Sequence, residues 1–177
     1  MKQIFLFFCL FCFTSTEAQE LPYYSKINKI LWKTDTLFAS TDNLPFNISN
    51  IEVMLSPITY SCHIMVQNNT DKPIKVNWSN VIIKYCGKSM MIRLSEMVLK
   101  DEQQQIQEIP KKGKVWQGFD AIYGEKVVNL REAKKTYNKK KEPVPVKLEV
   151  SFPIIYNDEE IIIHKIDYGL YDPQYKE

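Results

Sequence analysis

The fold is decided by residues 146–152, which read V-K-L-E-V-S-F. Apolar and polar side chains alternate along this stretch, and a period of two places every apolar side chain on one face of a β-strand. The stretch therefore predicts a strand with one buried face. The side chains expected to face the core are Val146, Leu148, Val150 and Phe152.

The same alternation recurs on both sides of this strand, separated by segments rich in turn-forming residues. Pro143 and Pro145 just before it are tolerated at the start of an edge-like strand. Short strands with frequent turn signals are typical of a β-sandwich. Further strands are predicted within 51–55, 60–66, 74–78, 81–85, 90–94, 106–109, 115–119 and 161–168.

Two hairpins are predicted from local turns. A type II′ turn at Gly87-Lys88 accepts glycine at its first position, because that position needs a positive φ. A second, shorter hairpin is expected around 110–113. The first turn fixes a register. It pairs Tyr85 with Met90, Ile83 with Ile92, and Val81 with Leu94.

One surface helix is predicted near 129–141. Asn129 followed three residues later by Glu132 is typical of a capped helix start. Leu130, Ala133 and Tyr137 then recur at helical spacing. The fold expected is thus an all-β, immunoglobulin-like antiparallel sandwich of about seven to nine strands with this single short helix.

The first 18 residues are expected to be a cleavable signal peptide. Lys2 precedes the apolar run 4–13, which is too short to span a bilayer, and Ala18 offers a small residue at the cleavage site. Phe8 and Phe11 precede the leader's two cysteines, which argues against a lipid anchor. We therefore expect an exported protein, periplasmic or extracellular, without stable membrane insertion after cleavage. The expected order is a signal peptide (1–18), a poorly defined segment (19–48), the sandwich (49–172) and a tail (173–177).

The mature chain would keep two cysteines, Cys62 and Cys86. An even pair in an oxidising compartment suggests a disulfide, yet cysteine is also a common small core residue. The predicted register directs Cys86 away from the core face. Both alternatives stay open.

A resemblance attaches to residues 66–76, V-Q-N-N-T-D-K-P-I-K-V, and to residues 107–115, Q-E-I-P-K-K-G-K-V. A strand ending in an N-x-T-x-K-P-I turn is similar to segments of small exported bacterial β-sandwich proteins. These include immunoglobulin-like modules and the β-sandwich desiccation-related modules. The resemblance implies a fold and carries over no functional residue, because such modules host many unrelated roles.

The sequence offers no recognisable catalytic, metal-binding or cofactor motif. His63 and His164 are the only histidines, and neither has metal-ligand spacing. The net charge of +2 argues against a dedicated nucleic-acid binder. We therefore expect a non-enzymatic binding or structural module of the cell envelope, with no cofactor. Its partner would be an envelope protein or a surface polymer.

Two groups of residues are candidates for binding. The basic run on the predicted helix suits anionic polymers, although lysines near a helix C-terminus are also favoured by the helix dipole. Exposed aromatic rings would suit a carbohydrate, which is the alternative function, although core packing is the commoner role of aromatic residues in strands. An enzyme with an unrecognised site is the remaining alternative. The candidates are Lys134, Lys135, Lys139, Lys140 and Lys141 for the polymer, and Trp32, Trp78 and Trp116 for the carbohydrate.

Overall fold

The computed structural model describes residues 24–27, 29–39, 47–95 and 106–174. These residues form twelve β-strands, one α-helix and two short 3₁₀ turns, so the prediction of an all-β sandwich is confirmed. The strands up to the middle of the chain are β1 (Tyr24–Ile27), β2 (Ile30–Ala39), β3 (Ile51–Pro57), β4 (Ser61–Asn68), β5 (Ile74–Asn77), β6 (Ile82–Tyr85), β7 (Lys88–Ser89) and β8 (Ile92–Leu94). The remaining elements are β9 (Ile106–Ile109), β10 (Lys114–Ala121), α1 (Leu130–Lys140), β11 (Val144–Tyr156) and β12 (Glu159–Tyr171), with 3₁₀ turns at Ile48–Asn50 and Trp78–Asn80.

The first sheet has eight strands and is organised around the long β11–β12 hairpin. β12 continues through β2 to β1, while the other edge of β11 pairs with β6 along one part and with β5 along another. β9 and β7 extend the sheet beyond β5 and β6. The expectation that the proline-led strand lies at an edge is therefore wrong. The prolines are tolerated because Pro145 lies outside the part of β11 that pairs with β6.

The second sheet has four strands in the order β3-β4-β10-β8. The predicted hairpin register around residue 87 is wrong, because the turn is formed by Cys86 and Gly87, at φ 48° and 81°. Positive φ at both central residues defines a type I′ turn, which pairs Tyr85 with Lys88 instead of Met90. After β7 the chain leaves the first sheet. Its next strand, β8, pairs with β10 in the second sheet.

The predicted hairpin at 110–113 is also a crossing between sheets. β9 pairs with β5 in the first sheet, and β10 pairs with β4 and β8 in the second. The turn itself is present, since the Gly113 amide donates to the Pro110 carbonyl at 2.8 Å. A turn signal thus marks a reversal of the chain without fixing which strand each arm will join.

The core lies between the two sheets and contains the expected apolar faces. The four apolar residues of 146–152 are buried, as are Ile83 and Tyr85. The second arm of the hairpin predicted around residue 87 still contributes to the core, because Ile92 and Leu94 pack on it from the second sheet. The core-facing side chains predicted from alternation are therefore confirmed, although the predicted pairing of these strands is wrong.

The sandwich begins earlier than predicted. β2 lies in the segment that the sequence left poorly defined, yet it pairs with β12 from Ile30 to Ala39. β1 forms a hairpin with β2 and adds a further strand to the first sheet. The expected signal peptide, its cleavage site and residues 175–177 of the expected tail lie outside the described residues.

Candidate functional site

The predicted helix is confirmed as α1. The Asn129 side chain caps it by accepting a hydrogen bond from the Glu132 amide at 3.2 Å. Ala133 and Tyr137 are buried against the sandwich, and Lys141 ends the helix in a left-handed conformation. Only one face of α1 is therefore held by packing, and its opposite face is exposed.

A groove of about 600 Å³ runs between the first half of α1, the Cys86-Gly87 turn, residues 124–126 and the start of β11. This volume lies within the usual range of small-molecule sites, about 300–1,000 Å³. Apolar atoms of Tyr85, Ala133 and Val146 contribute to its lining. Five charged side chains line it as well: Lys88, Glu125, Lys126, Arg131 and Glu132.

The two carboxylates of the groove already have partners. Glu132 lies 3.7 Å from the Lys88 ammonium, and Glu125 accepts a hydrogen bond from the Met91 amide at 2.9 Å. The Lys126 ammonium lies 5.7 Å from the centre of the Tyr60 ring, within the range of a cation–π contact. The groove therefore combines an excess of cations with carboxylates that are partly neutralised.

Tyr85 forms part of the groove wall and is only 6% exposed. Burial, followed by the neighbouring Cys86 thiol, raises the pKa of its phenol far above the ordinary value. The Tyr85 hydroxyl is therefore neutral at any physiological pH, and the groove carries no tyrosinate.

All five lysines predicted to bind a polymer are exposed on or just after α1. Lys134, Lys135 and Lys139 share the outward face with Arg131, because positions three, four and eight apart lie together on a helix. Residues 130–141 carry six of the chain's 23 lysines and arginines but only one of its 21 acidic residues. The small net charge of the whole chain thus conceals a concentrated basic surface.

Sequence reasoning missed the groove and three of its cations. Lys88 begins β7 and Lys126 follows the turn at 123–124, and the fold alone brings them beside Arg131. Arg131 carried a usable signal, since it lies on the same helical face as the predicted lysines. No local sequence pattern identifies Lys88 or Lys126 as part of a binding site.

The three predicted tryptophans do not form one platform. Trp32 and Trp78 are each 2% exposed, so both are core residues and neither reaches a ligand. The Trp78 ring packs 5.9 Å from Phe119 and 5.8 Å from Phe152 between ring centres. Trp116 is 51% exposed and remains the one candidate of the three for stacking on a carbohydrate.

Cys62 and Cys86, the two cysteines within the part of the chain that the structure describes, are both free. Cys62 faces the core from the second sheet, whereas Cys86 is exposed in a turn of the first sheet. The disulfide that the sequence left open is therefore not formed in this structure. Burial, together with the nearby Asp167 carboxylate, raises the pKa of the Cys62 thiol to about 12, so this thiol is unreactive.

The two histidines lie on different sheets. His63 is half-buried on the outer face of the second sheet, and His164 Nε2 lies 3.4 Å from a Glu149 carboxylate oxygen on the first. Among the described residues, no three histidine, cysteine or acidic side chains are grouped so as to hold a metal ion. Within the same residues, no helix combines the length and apolar character that a bilayer crossing requires.

Comparison with known proteins gives no family for this chain. No family model and no curated protein matches it. Among solved structures, a protein from Archaeoglobus fulgidus is similar over 81% of this chain and all of its own, at 12% identity and a TM-score of 0.40. A likeness at this level says nothing about the function of this chain.

Proposed function

We propose that this protein is an exported, immunoglobulin-like, non-enzymatic module that binds an anionic polymer of the cell envelope. The proposed site is the basic face of α1 together with the adjoining groove. The single observation that supports it is the concentration of cations there: Arg131, Lys134, Lys135 and Lys139 share the outward face, next to Lys88 and Lys126 in the groove.

The dipole of α1 explains only part of this concentration. Lysines near the end of a helix stabilise it through the negative C-terminal pole, an effect that fades within one turn. Lys139 and Lys140 lie in the last turn, but Arg131 lies in the first, where a cation is unfavourable. A ligand with repeated negative charges accounts for basic residues along the entire face.

The experiment measures binding of the processed protein to polygalacturonate, an acidic glycan, with neutral dextran as the comparison. The charge-reversal pair Lys134→Glu and Lys135→Glu should abolish binding to the acidic polymer. The matched control reverses Lys111 and Lys112, two exposed lysines in the turn after β9, and should bind like the wild type.

Salt provides the second criterion. Exposed charges are largely screened beyond about 8 Å at physiological ionic strength, so affinity should fall steeply as salt is raised. Equal loss in both charge-reversed proteins would indicate an effect of net charge alone. Binding that is insensitive to salt, or no binding to the acidic polymer, would refute the proposal.

A further inference from the structure

The outer face of the second sheet carries an ordered set of side chains across its strands. Register places Met54, Met65 and Trp116 in one row over β3, β4 and β10. The next row contains Ser56, His63 and Gly118. These side chains point away from the core, because the residues that alternate with them pack in it: Val53, Leu55, Cys62, Ile64, Val66, Val115 and Phe119. We call this face, which continues to Arg93 and Asp120, the outer strip.

Trp116 lies opposite Met65 in the register of β10 and β4. Met65 points outward but is only 5% exposed, although an outward side chain on an open sheet face would normally be solvated. Its two row neighbours, Met54 and Trp116, are the side chains placed to cover it. Trp116 thus has apolar cross-strand neighbours in its row and is still 51% exposed. An indole restricted by such neighbours loses less conformational entropy when a ligand stacks on it than an isolated one would.

Polar groups continue the strip beyond the indole. His63 is half-buried, and Ser95 lies over Gly118, where an added Cβ would be 3.1 Å from the Ser95 Cβ. Asp120 then faces Arg93 across β10 and β8. Ser95 is only 6% exposed, so the donors and acceptors within reach of a ligand that also touches the ring are those of His63, Asp120 and Arg93.

The charges of the strip are balanced, unlike those of α1. Asp120 is matched by Arg93 in its row, and Glu52 shares a row with Lys114 across Gln67. A strip with paired charges and no net charge suits a ligand that is itself uncharged but rich in hydrogen-bonding groups. It would give neither attraction nor specificity to a polyanion.

We propose that the outer strip binds a neutral polysaccharide chain, with one sugar ring stacked on Trp116 and neighbouring hydroxyls hydrogen-bonded to His63 and Asp120. Aromatic faces combined with a few placed polar groups are the usual means of recognising a ligand that is apolar on one side and polar at its edge. This site is separate from the basic face of α1, and it does not depend on the function proposed for that face.

The test measures binding of the processed protein to soluble starch, laminarin, galactomannan and chitin oligosaccharides. We expect at least one of them to bind, and Trp116→Ala to weaken that binding by about 30-fold, the effect of losing a central aromatic anchor. Trp116→Phe should recover part of the affinity because it retains an aromatic ring. Tyr123, 86% exposed and outside the strip, gives the matched control Tyr123→Ala, which should bind normally.

Three results would overturn the proposal: no binding to any of the four polysaccharides, binding that survives Trp116→Ala, or equal loss with Tyr123→Ala. The Lys134→Glu, Lys135→Glu protein separates the two sites, since it should retain neutral polysaccharide and lose polygalacturonate. Unchanged thermal unfolding of Trp116→Ala would show that any loss of binding is not a loss of fold.

Discussion

Asn68 is the most informative residue to change, because its buried side chain joins three separate segments. Its Nδ2 group donates to the carbonyls of Lys72, Ile109 and Pro110 at 2.8, 3.1 and 3.2 Å. Its Oδ1 accepts from the amide and hydroxyl of Thr70 at 3.0 and 2.6 Å. Asn68 itself is fully buried. It therefore ties the end of β4 to the segment that crosses from β9 to β10.

Replacement by alanine should destabilise the protein by about 3 kcal/mol. Two amide hydrogens serve three acceptors, so the side chain makes about four effective hydrogen bonds at roughly 0.5–1.5 kcal/mol each. The values are not additive, but the buried Thr70 amide would lose its partner, which adds a desolvation cost. A loss of this size lowers the thermal midpoint by roughly 6–12 °C for a domain of this length.

The assay is urea unfolding followed by tryptophan fluorescence, with Asn69→Ala as the control. Asn69 is the adjacent residue of the same type, but it is exposed, and its side chain bonds only to half-buried Gln67 at 3.0 Å among the contacts described. Its replacement should change stability by no more than about 0.5 kcal/mol. Equal stabilities for the wild type and Asn68→Ala, or equal losses at both positions, would refute the reasoning.

Asn68→Asp tests the same argument through its pH dependence. The carboxyl retains the acceptor for Thr70 but turns its second oxygen toward three carbonyls that need a donor. Only the protonated acid can donate, so the carboxyl pKa in the folded protein should lie above the unfolded value of about 3.9. Its stabilising contribution is then complete below about pH 3.9 and is lost as the pH rises through the folded pKa. The deficit relative to wild type should thus be larger at pH 7 than at pH 4.

Two further predictions test the packing and the cysteines. Gly169→Ala should destabilise the protein by about 1–3 kcal/mol in thermal unfolding, because the added Cβ would lie 2.6 Å from Ile30 Cγ2. Gly87→Ala is the control, since its added Cβ meets nothing within 4 Å. It should cost only the strain of the positive φ, about 1 kcal/mol. In the native protein at pH 8, iodoacetamide should modify exposed Cys86 rapidly and leave buried Cys62 unmodified until urea is added. Peptide mass spectrometry measures the labelling of each cysteine. Rapid labelling of Cys62 in the native protein would contradict its burial and its pKa of about 12.

The sequence was a good guide to which side chains enter the core. Alternation with period two depends only on the geometry of one strand, so Val150 and Phe152 were placed correctly from their own segment. The helix was equally local, since Asn129 and Glu132 form its cap within one turn. These features do not depend on the rest of the fold.

Strand pairing and turn type could not be derived in the same way. Alternation fixes the face of a strand but not its neighbour, and two predicted hairpins therefore proved to be crossings between sheets. The type I′ turn also needs Cys86 at φ 48°, a conformation that sequence reasoning reserves for glycine and asparagine. Tertiary packing of β6 against β11 accompanies this less favourable turn.

The N-x-T-x-K-P segment at residues 68–73 explains why the most recognisable part of this sequence says little about function. Asn68 and Thr70 are 0% and 1% exposed, and their polar atoms bond to the backbone and to each other. The two residues that define the motif therefore secure a crossing between sheets and are not accessible to a ligand. The surfaces that can select one are the α1 groove and the outer strip, and residues far apart in sequence build both. They differ in charge, so the preference of this protein for charged or neutral polymers will show which of them acts as a binding site.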